Sequence, residues 1–254
     1  MFIDTHCHLT SDNYENLNEE LKNNKQSVLI INGVDINTNI EAIKLSYENQ
    51  NIYAAIGIHP EVADSCTEDD LIFLINNISN SKVISIGEIG LDYHWRKDNK
   101  DRQQFLFRKQ IELALEHNLP IIVHSRDAIE DTYNILYEYY ELNPNLKIVL
   151  HCYSSSKEMA KKFLKMNVMF GIGGVVTFKN EKKLKEVVKM LDMNRILLET
   201  DSPYLAPEPL RGTKNSPQNI PLIAKKIAEI KGISLEEVLD ITTKNAIKQF
   251  DLHL

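Results

Sequence analysis

Short apolar runs rich in β-branched residues recur along the whole chain, each followed by a stretch of different spacing. The runs predict strands at Phe2–His6, Val28–Gly33, Ile52–Gly57, Val83–Gly87, Ile121–His124, Lys147–His151, Val168–Gly171 and Ile196–Thr200. Several are continuous rather than alternating, the pattern of strands covered on both faces by helices. The stretches between them have helical spacing. Ile129, Tyr133, Leu136, Tyr137 and Tyr140 form one apolar stripe, and Leu184, Val187, Val188 and Leu191 another. The lysine-rich run Lys179–Lys189 then reads as the exposed face of its amphipathic helix. Thr67-x-x-Asp70 and Ser234-x-x-Glu237 read as capping boxes, and Ser234–Phe250 as a terminal helix.

Eight strand–helix units at about 32 residues each match the size of a (β/α)8 barrel. The expectation is an α/β chain forming a single TIM barrel over residues 1–254, with an open doubly wound sheet as the competing architecture. One segment departs from the repeat. Pro203–Pro221 holds five of the eight prolines, and a rigid loop of that length in a compact domain is usually functional.

Composition narrows the class without naming a chemistry. With 26% charged and 43% hydrophobic residues the chain is neither disordered nor fibrous. Three cysteines give no basis for a disulfide framework and suit a reducing, cytoplasmic setting. The N-terminus has neither a basic flank nor an apolar run, so no signal peptide is expected. No apolar run approaches the roughly 18 residues of a membrane span. The 29 basic against 36 acidic residues give a net charge of −7, which argues against a surface that coats nucleic acid but leaves room for a local phosphate site.

The chemistry lies at the ends of the strands. His6 and His8 close the first, His59 follows the third, Glu88 the fourth, His124 and His151 end the fifth and sixth, and Asp201 follows the eighth. In barrels and open α/β sheets that edge is where ligands bind. His6 and His8 are two apart on a strand, so they share a face and can chelate one ion. Joined by Glu88, His124, His151 and Asp201, they exceed what one tetrahedral ion needs, and two divalent metals sharing a carboxylate is the natural count. Alternation turns Cys7 away from its histidine neighbours, and Cys7 and Cys152 read as small buried fillers. Glu199 shares the face of Asp201 and is expected to support a ligand from behind; Asp92 is expected near the centre.

The motifs Thr5-His6-Cys7-His8, Gly57-Ile58-His59-Pro60, Gly87-Glu88-Ile89-Gly90-Leu91-Asp92, His124-Ser125-Arg126, His151-Cys152-Tyr153-Ser154 and Glu199-Thr200-Asp201-Ser202-Pro203-Tyr204 occur in this order along the chain. Together with Gly171-Ile172-Gly173-Gly174 and Arg211-Gly212-Thr213-Lys214-Asn215, they resemble the successive motifs of TatD-type deoxyribonucleases. The resemblance implies a TIM-barrel metallohydrolase that cuts phosphodiester bonds of DNA, with His6, His8, Glu88, His124, His151 and Asp201 as metal ligands and Glu88 bridging. One departure is Ser155, where the family often has Gly; a Gly needed for an unusual backbone angle would leave the loop after the sixth strand differently placed.

The expected activity is a deoxyribonuclease acting through a water activated by two divalent cations (Mg, Mn or Zn), as an exonuclease on single-stranded ends. Asp201 is the candidate base, with Glu88 bridging the ions. His59, Arg126, Tyr204 and Arg211 are the candidate substrate contacts, and Tyr153 and Trp95 are further aromatics able to stack on bases. A barrel hydrolase of a small ester, amide or phosphate is the alternative, and a non-catalytic binding protein a third. Nucleic acid as substrate and no membrane are expected, and the sequence leaves the oligomeric state open.

Overall fold

In the computed structural model, which describes residues 1–253, eight strands form one sheet in sequential order with every neighbouring pair parallel. The strands are β1 (Ile3–Cys7), β2 (Val28–Asn32), β3 (Ile52–Ile56), β4 (Val83–Asp92), β5 (Ile121–Arg126), β6 (Ile148–Leu150), β7 (Val168–Ile172) and β8 (Ile196–Leu198). Helices alternate with them: α1 (Leu17–Asn23), α2 (Ile36–Glu48), α3 (Glu68–Asn77), α4 (Lys100–Glu116), α5 (Ile129–Leu142), α6 (Lys157–Phe163), α7 (Lys183–Met190), α8 (Ile220–Lys231) and α9 (Leu235–Phe250). Asp201 N donates to His6 O at 2.9 Å and His8 N to Ser202 O at 2.7 Å, so the end of β8 meets β1. The sheet thus nearly closes into a (β/α)8 TIM barrel rather than staying open.

The continuous apolar runs are explained by two cores. Val28, Ile30, Tyr53, Ile84, Ile122, Val149, Met169 and Leu197 fill the barrel interior, which Ala246, Phe250 and Leu252 close at one end. The alternate positions, among them Leu29, Ile31, Ala54, Ile56, Ile121, Val123, Phe170 and Leu198, pack outward against the helices. A strand buried on both faces has no place for polar residues until it ends, which sends the polar side chains to the mouth. A further tie crosses the seam: the buried Asp4 of β1 accepts from Thr200 N (3.0 Å) and Thr200 Oγ1 (2.5 Å).

The structure departs from the expected boundaries in one place that matters. β4 runs on to Asp92 rather than stopping at Gly87, because Gly90, at φ +141°, lies against His124 so closely that a Cβ would be 2.0 Å from its carbonyl oxygen. Glycine therefore permits pairing where its presence reads as a turn. Both capping motifs hold a helix start. Ser234 Oγ accepts from Glu237 N at 3.1 Å, and Thr67 N and Oγ1 donate to Asp70 Oδ2 at 2.7 and 2.8 Å. Ser155 keeps φ outside the left-handed region, so the loop after β6 needs no glycine there.

Candidate metal centre

The six residues singled out at the strand ends converge. β1 and β4 each carry a register irregularity where they supply the site, between Asp4 and Cys7 and between Ile86 and Ile89. Such kinks re-aim side chains. His6 Nε2 lies 3.2 Å from both His8 Nε2 and Glu88 Oε2, and His8 Nε2 lies 3.4 Å from Asp201 Oδ1. The other carboxylate oxygen, Glu88 Oε1, lies 2.8 Å from His124 Nδ1 and 3.6 Å from His151 Nε2. Two donors bound at about 2.05 Å to one tetrahedral ion would sit about 3.3 Å apart. The observed spacings scatter around that value, so imidazole and carboxylate donors fit divalent ions in both chemistry and distance.

The hydrogen bonds decide which ring nitrogens are free. A carbonyl only accepts, so His8 Nδ1, 2.9 Å from Asn32 O, carries its proton and leaves Nε2 with a lone pair aimed at the cluster. Asp92 Oδ2, 2.9 Å from His124 Nε2, favours the proton there and leaves Nδ1, beside Glu88, as the donor nitrogen. His59 is the opposite case. Its Nδ1 accepts from Glu61 N at 3.2 Å, so the neutral ring carries its proton on Nε2, 3.4 Å from Glu88 Oε1. The structure brings His59 into the cluster beside Glu88 and His124, with that tautomer placing a hydrogen-bond donor toward the carboxylate.

Carboxylates stand behind the ring of donors. Glu199 Oε1 lies 3.2 Å from His151 Nδ1 and accepts from Cys152 N at 2.6 Å. Gly171 leaves the space this carboxylate needs, since a Cβ there would lie 2.1 Å from Glu199 Oε2. Glu88, Asp92 and Glu199 are buried, and Asp201 is half-buried at φ +55°, a left-handed conformation that Asp tolerates better than most residues.

Such crowding sets the protonation states. Burial pushes the Glu88 carboxyl up, but the surrounding histidines, His151 foremost, together with the hydrogen bond from His124, outweigh it and hold Glu88 well below the usual carboxylate range. Asp201 is likewise lowered, burial being overcome by His151 and by the His8 hydrogen bond. For the histidines burial acts downward. The carboxylates reverse it at His124, raised to about 9 by Asp92 and Glu88, and at His151, raised to about 10 by Glu199, Glu88 and Asp201. His6 is lowered to about 4, because burial and His151 together exceed the pull of Glu88. Ionised carboxylates thus require cationic partners here, the role a divalent ion fills most compactly.

A cavity of about 750 Å³ opens over the cluster, lined by His8, His59, Glu88, His124, His151 and Asp201 together with Arg126, Tyr204 and Trp95. Tyr204 is 55% exposed with its ring 6.1 Å from that of His8, and Trp95 is 65% exposed. Arg211 does not line this cavity; its guanidinium stacks on Phe178, 4.2 Å from the ring centre. Tyr153 is buried, edge-on to Phe170, with its hydroxyl donating to Ser156 O at 2.7 Å, so it offers no face to a base. Cys7 is buried as expected. Cys152 is not: it is half-buried, lines the cavity, and is left-handed at φ +44°, which turns it toward the mouth. Sequence reasoning missed Asn32, which acts through its backbone carbonyl, and Glu61, which fixes the tautomer of His59 through its N–H; main-chain groups carry no residue-type signal.

A TIM barrel with a histidine–carboxylate centre at the C-terminal ends of its strands defines the chain as a metal-dependent hydrolase, and the relatives agree. The profile of the family described as "TatD related DNase" matches residues 3–251, so the chain belongs to that family. The metal-dependent hydrolase YabD of Bacillus subtilis is 44% identical, each chain covering 100% of the other. A metal-dependent hydrolase of Methanocaldococcus jannaschii is 34% identical over 100% of this chain and 98% of its own. Among solved structures, the TatD homologue YjjV of Escherichia coli superposes with a TM-score of 0.89 at 26% identity, covering 99% of this chain and 98% of its own. No helix among the described residues is long and apolar enough to cross a membrane.

Proposed function

We propose that the chain is a divalent-metal-dependent deoxyribonuclease that hydrolyses phosphodiester bonds, acting as an exonuclease on single-stranded ends. The observation that carries this reading is the Glu88 carboxylate, whose Oε2 faces His6 and His8, with Asp201 beside them, while its Oε1 faces His124, His59 and His151. His6, His8 and Asp201 would hold one divalent ion and His124 and His151 a second, with Glu88 available to both, and the ions would supply Lewis acidity to the phosphoryl group and acidify a water. Imidazole donors favour Zn or Mn over Mg.

The side chains perform the remaining steps. Asp201, ionised and at the cavity wall, accepts the proton of the water as its oxygen bonds to phosphorus and the bond to the departing nucleoside oxygen breaks. His59 directs its Nε2–H toward the same space and donates to a phosphoryl oxygen. Arg126 adds charge at the cavity edge, and the exposed ring of Tyr204 stacks on the terminal base. A cavity of this size admits a splayed nucleotide more readily than a duplex.

A second reading, hydrolysis of a small ester, amide or phosphate, is favoured by one observation. The cavity lies within the ~300–1,000 Å³ of small-molecule sites, and Arg126 is the one Lys or Arg among its lining residues. Metal-reconstituted protein incubated with end-labelled single- and double-stranded DNA, RNA and a generic phosphodiester separates the two. Shortening of single-stranded DNA from its ends is the expected result; turnover of the generic ester alone would overturn the nuclease reading.

A further inference from the structure

A second cavity, of about 560 Å³, adjoins the first. The two share Ser125, Arg126, His151, Cys152 and Ser154 in their walls, so the space over the metal centre continues past Arg126. Beyond Arg126 the lining changes character: Ser154, Ser155 and Ser156 form one side, and Lys183, at the start of α7, stands exposed at another. Arg126 and Lys183 form no ion pair among the described residues. The carboxylate that lines the cavity, Asp127, lies 3.0 Å from His94 Nδ1. Arg126 is held at the boundary by Trp95, its guanidinium carbon 5.4 Å from the ring centre.

Two cations, Arg126 and Lys183, against the one carboxylate of Asp127, with a run of hydroxyl residues in the same concavity, form a site for an anion that accepts several hydrogen bonds. Resting on the nuclease reading above, we propose that this cavity is a subsite for the phosphate flanking the scissile one, so that the protein grips a strand by two successive phosphates.

The test compares a dinucleotide, which has one phosphodiester, with a trinucleotide, which has two, on the metal-loaded protein and its Lys183→Ala, Lys183→Glu and Ser155→Gly variants. Lys183 is exposed, so the variants are expected to fold, and circular dichroism checks that they do. The expected result is a KM for the trinucleotide raised about threefold by Lys183→Ala and further by Lys183→Glu, with dinucleotide hydrolysis unchanged. The slope of log KM against log salt for the trinucleotide should fall by about 0.7, the value of one phosphate contact on a single strand. Equal changes on both substrates, or none on either, overturn the subsite while leaving the nuclease reading standing. Wild-type protein that cleaves neither substrate removes both. Inorganic phosphate inhibiting wild type and Lys183→Glu equally also counts against the subsite.

Discussion

Glu199 Oε1 lies 3.2 Å from Nδ1 of His151, and the buried carboxylate reaches that position only because residue 171 has no side chain. Glu199 raises the basicity of the ring it faces. Replacing the carboxylate by its neutral isostere keeps the shape and removes the charge. Glu199→Gln should therefore weaken metal binding about 10- to 100-fold with the fold retained, measured by titration against a chelator of known affinity. Gly171→Ala should do the same by displacing the carboxylate. Unchanged affinity in both would mean that Glu199 serves only to support Cys152 N.

Asp201 is expected to move the proton of the attacking water. Asp201→Asn preserves its size and its backbone hydrogen bond to His6 O while removing the basic oxygen. Turnover should fall at least about 100-fold, with the circular dichroism spectrum unchanged and bound metal, counted by elemental analysis, still present. Retained turnover would remove Asp201 from the base role.

Much of this site is legible in the sequence because of how barrel strands are buried. A strand covered on both faces is apolar throughout, so the polar residue that ends it stands out, and His6, His8, Glu88, His124, His151 and Asp201 are all found in this way. What escapes is whatever depends on contacts between elements. Asp92 is expected near the centre, but its partner is not: it faces His124 because β4 runs four residues past Glu88, through a glycine that reads as a turn. The tautomers of His8 and His59 are set by main-chain groups of Asn32 and Glu61. Cys152 follows a ligand and reads as filler; only its backbone angle turns it toward the cavity. Arg211 has the charge and the loop expected of a phosphate contact, yet Phe178, far away in sequence, holds it elsewhere.

Arg126 and Arg211 therefore differ in a way the sequence does not distinguish. Arg126→Ala should raise KM for single-stranded DNA about threefold or more, since its charge lines the cavity over the metal centre. Arg211→Ala should leave KM within about twofold and cost about 0.5–1 kcal/mol of stability through the lost stack on Phe178. Thermal melts and initial rates on the two variants test both halves. A large KM effect at Arg211 would show that the side chain leaves Phe178 when substrate binds.

The proposed sharing of the Glu88 carboxylate by two ions makes a specific statement about metal count. Elemental analysis of the reconstituted wild type should give two ions per chain. His6→Ala removes a donor from the Oε2 side alone and should reduce the count toward one. Glu88→Ala removes a donor from both sides and should weaken both ions. Binding that favours the folded chain also stabilises it. Free metal at 100 times its dissociation constant adds about 2.7 kcal/mol per site, and for a chain of this length each kcal/mol moves Tm by roughly 2–4 °C. Chelation should therefore lower Tm of the wild type by at least about 5 °C, and much less in Glu88→Ala, where little metal remains to be lost. One ion per wild-type chain, with His6→Ala and His124→Ala each abolishing it, would replace the bridged pair by a single-ion centre.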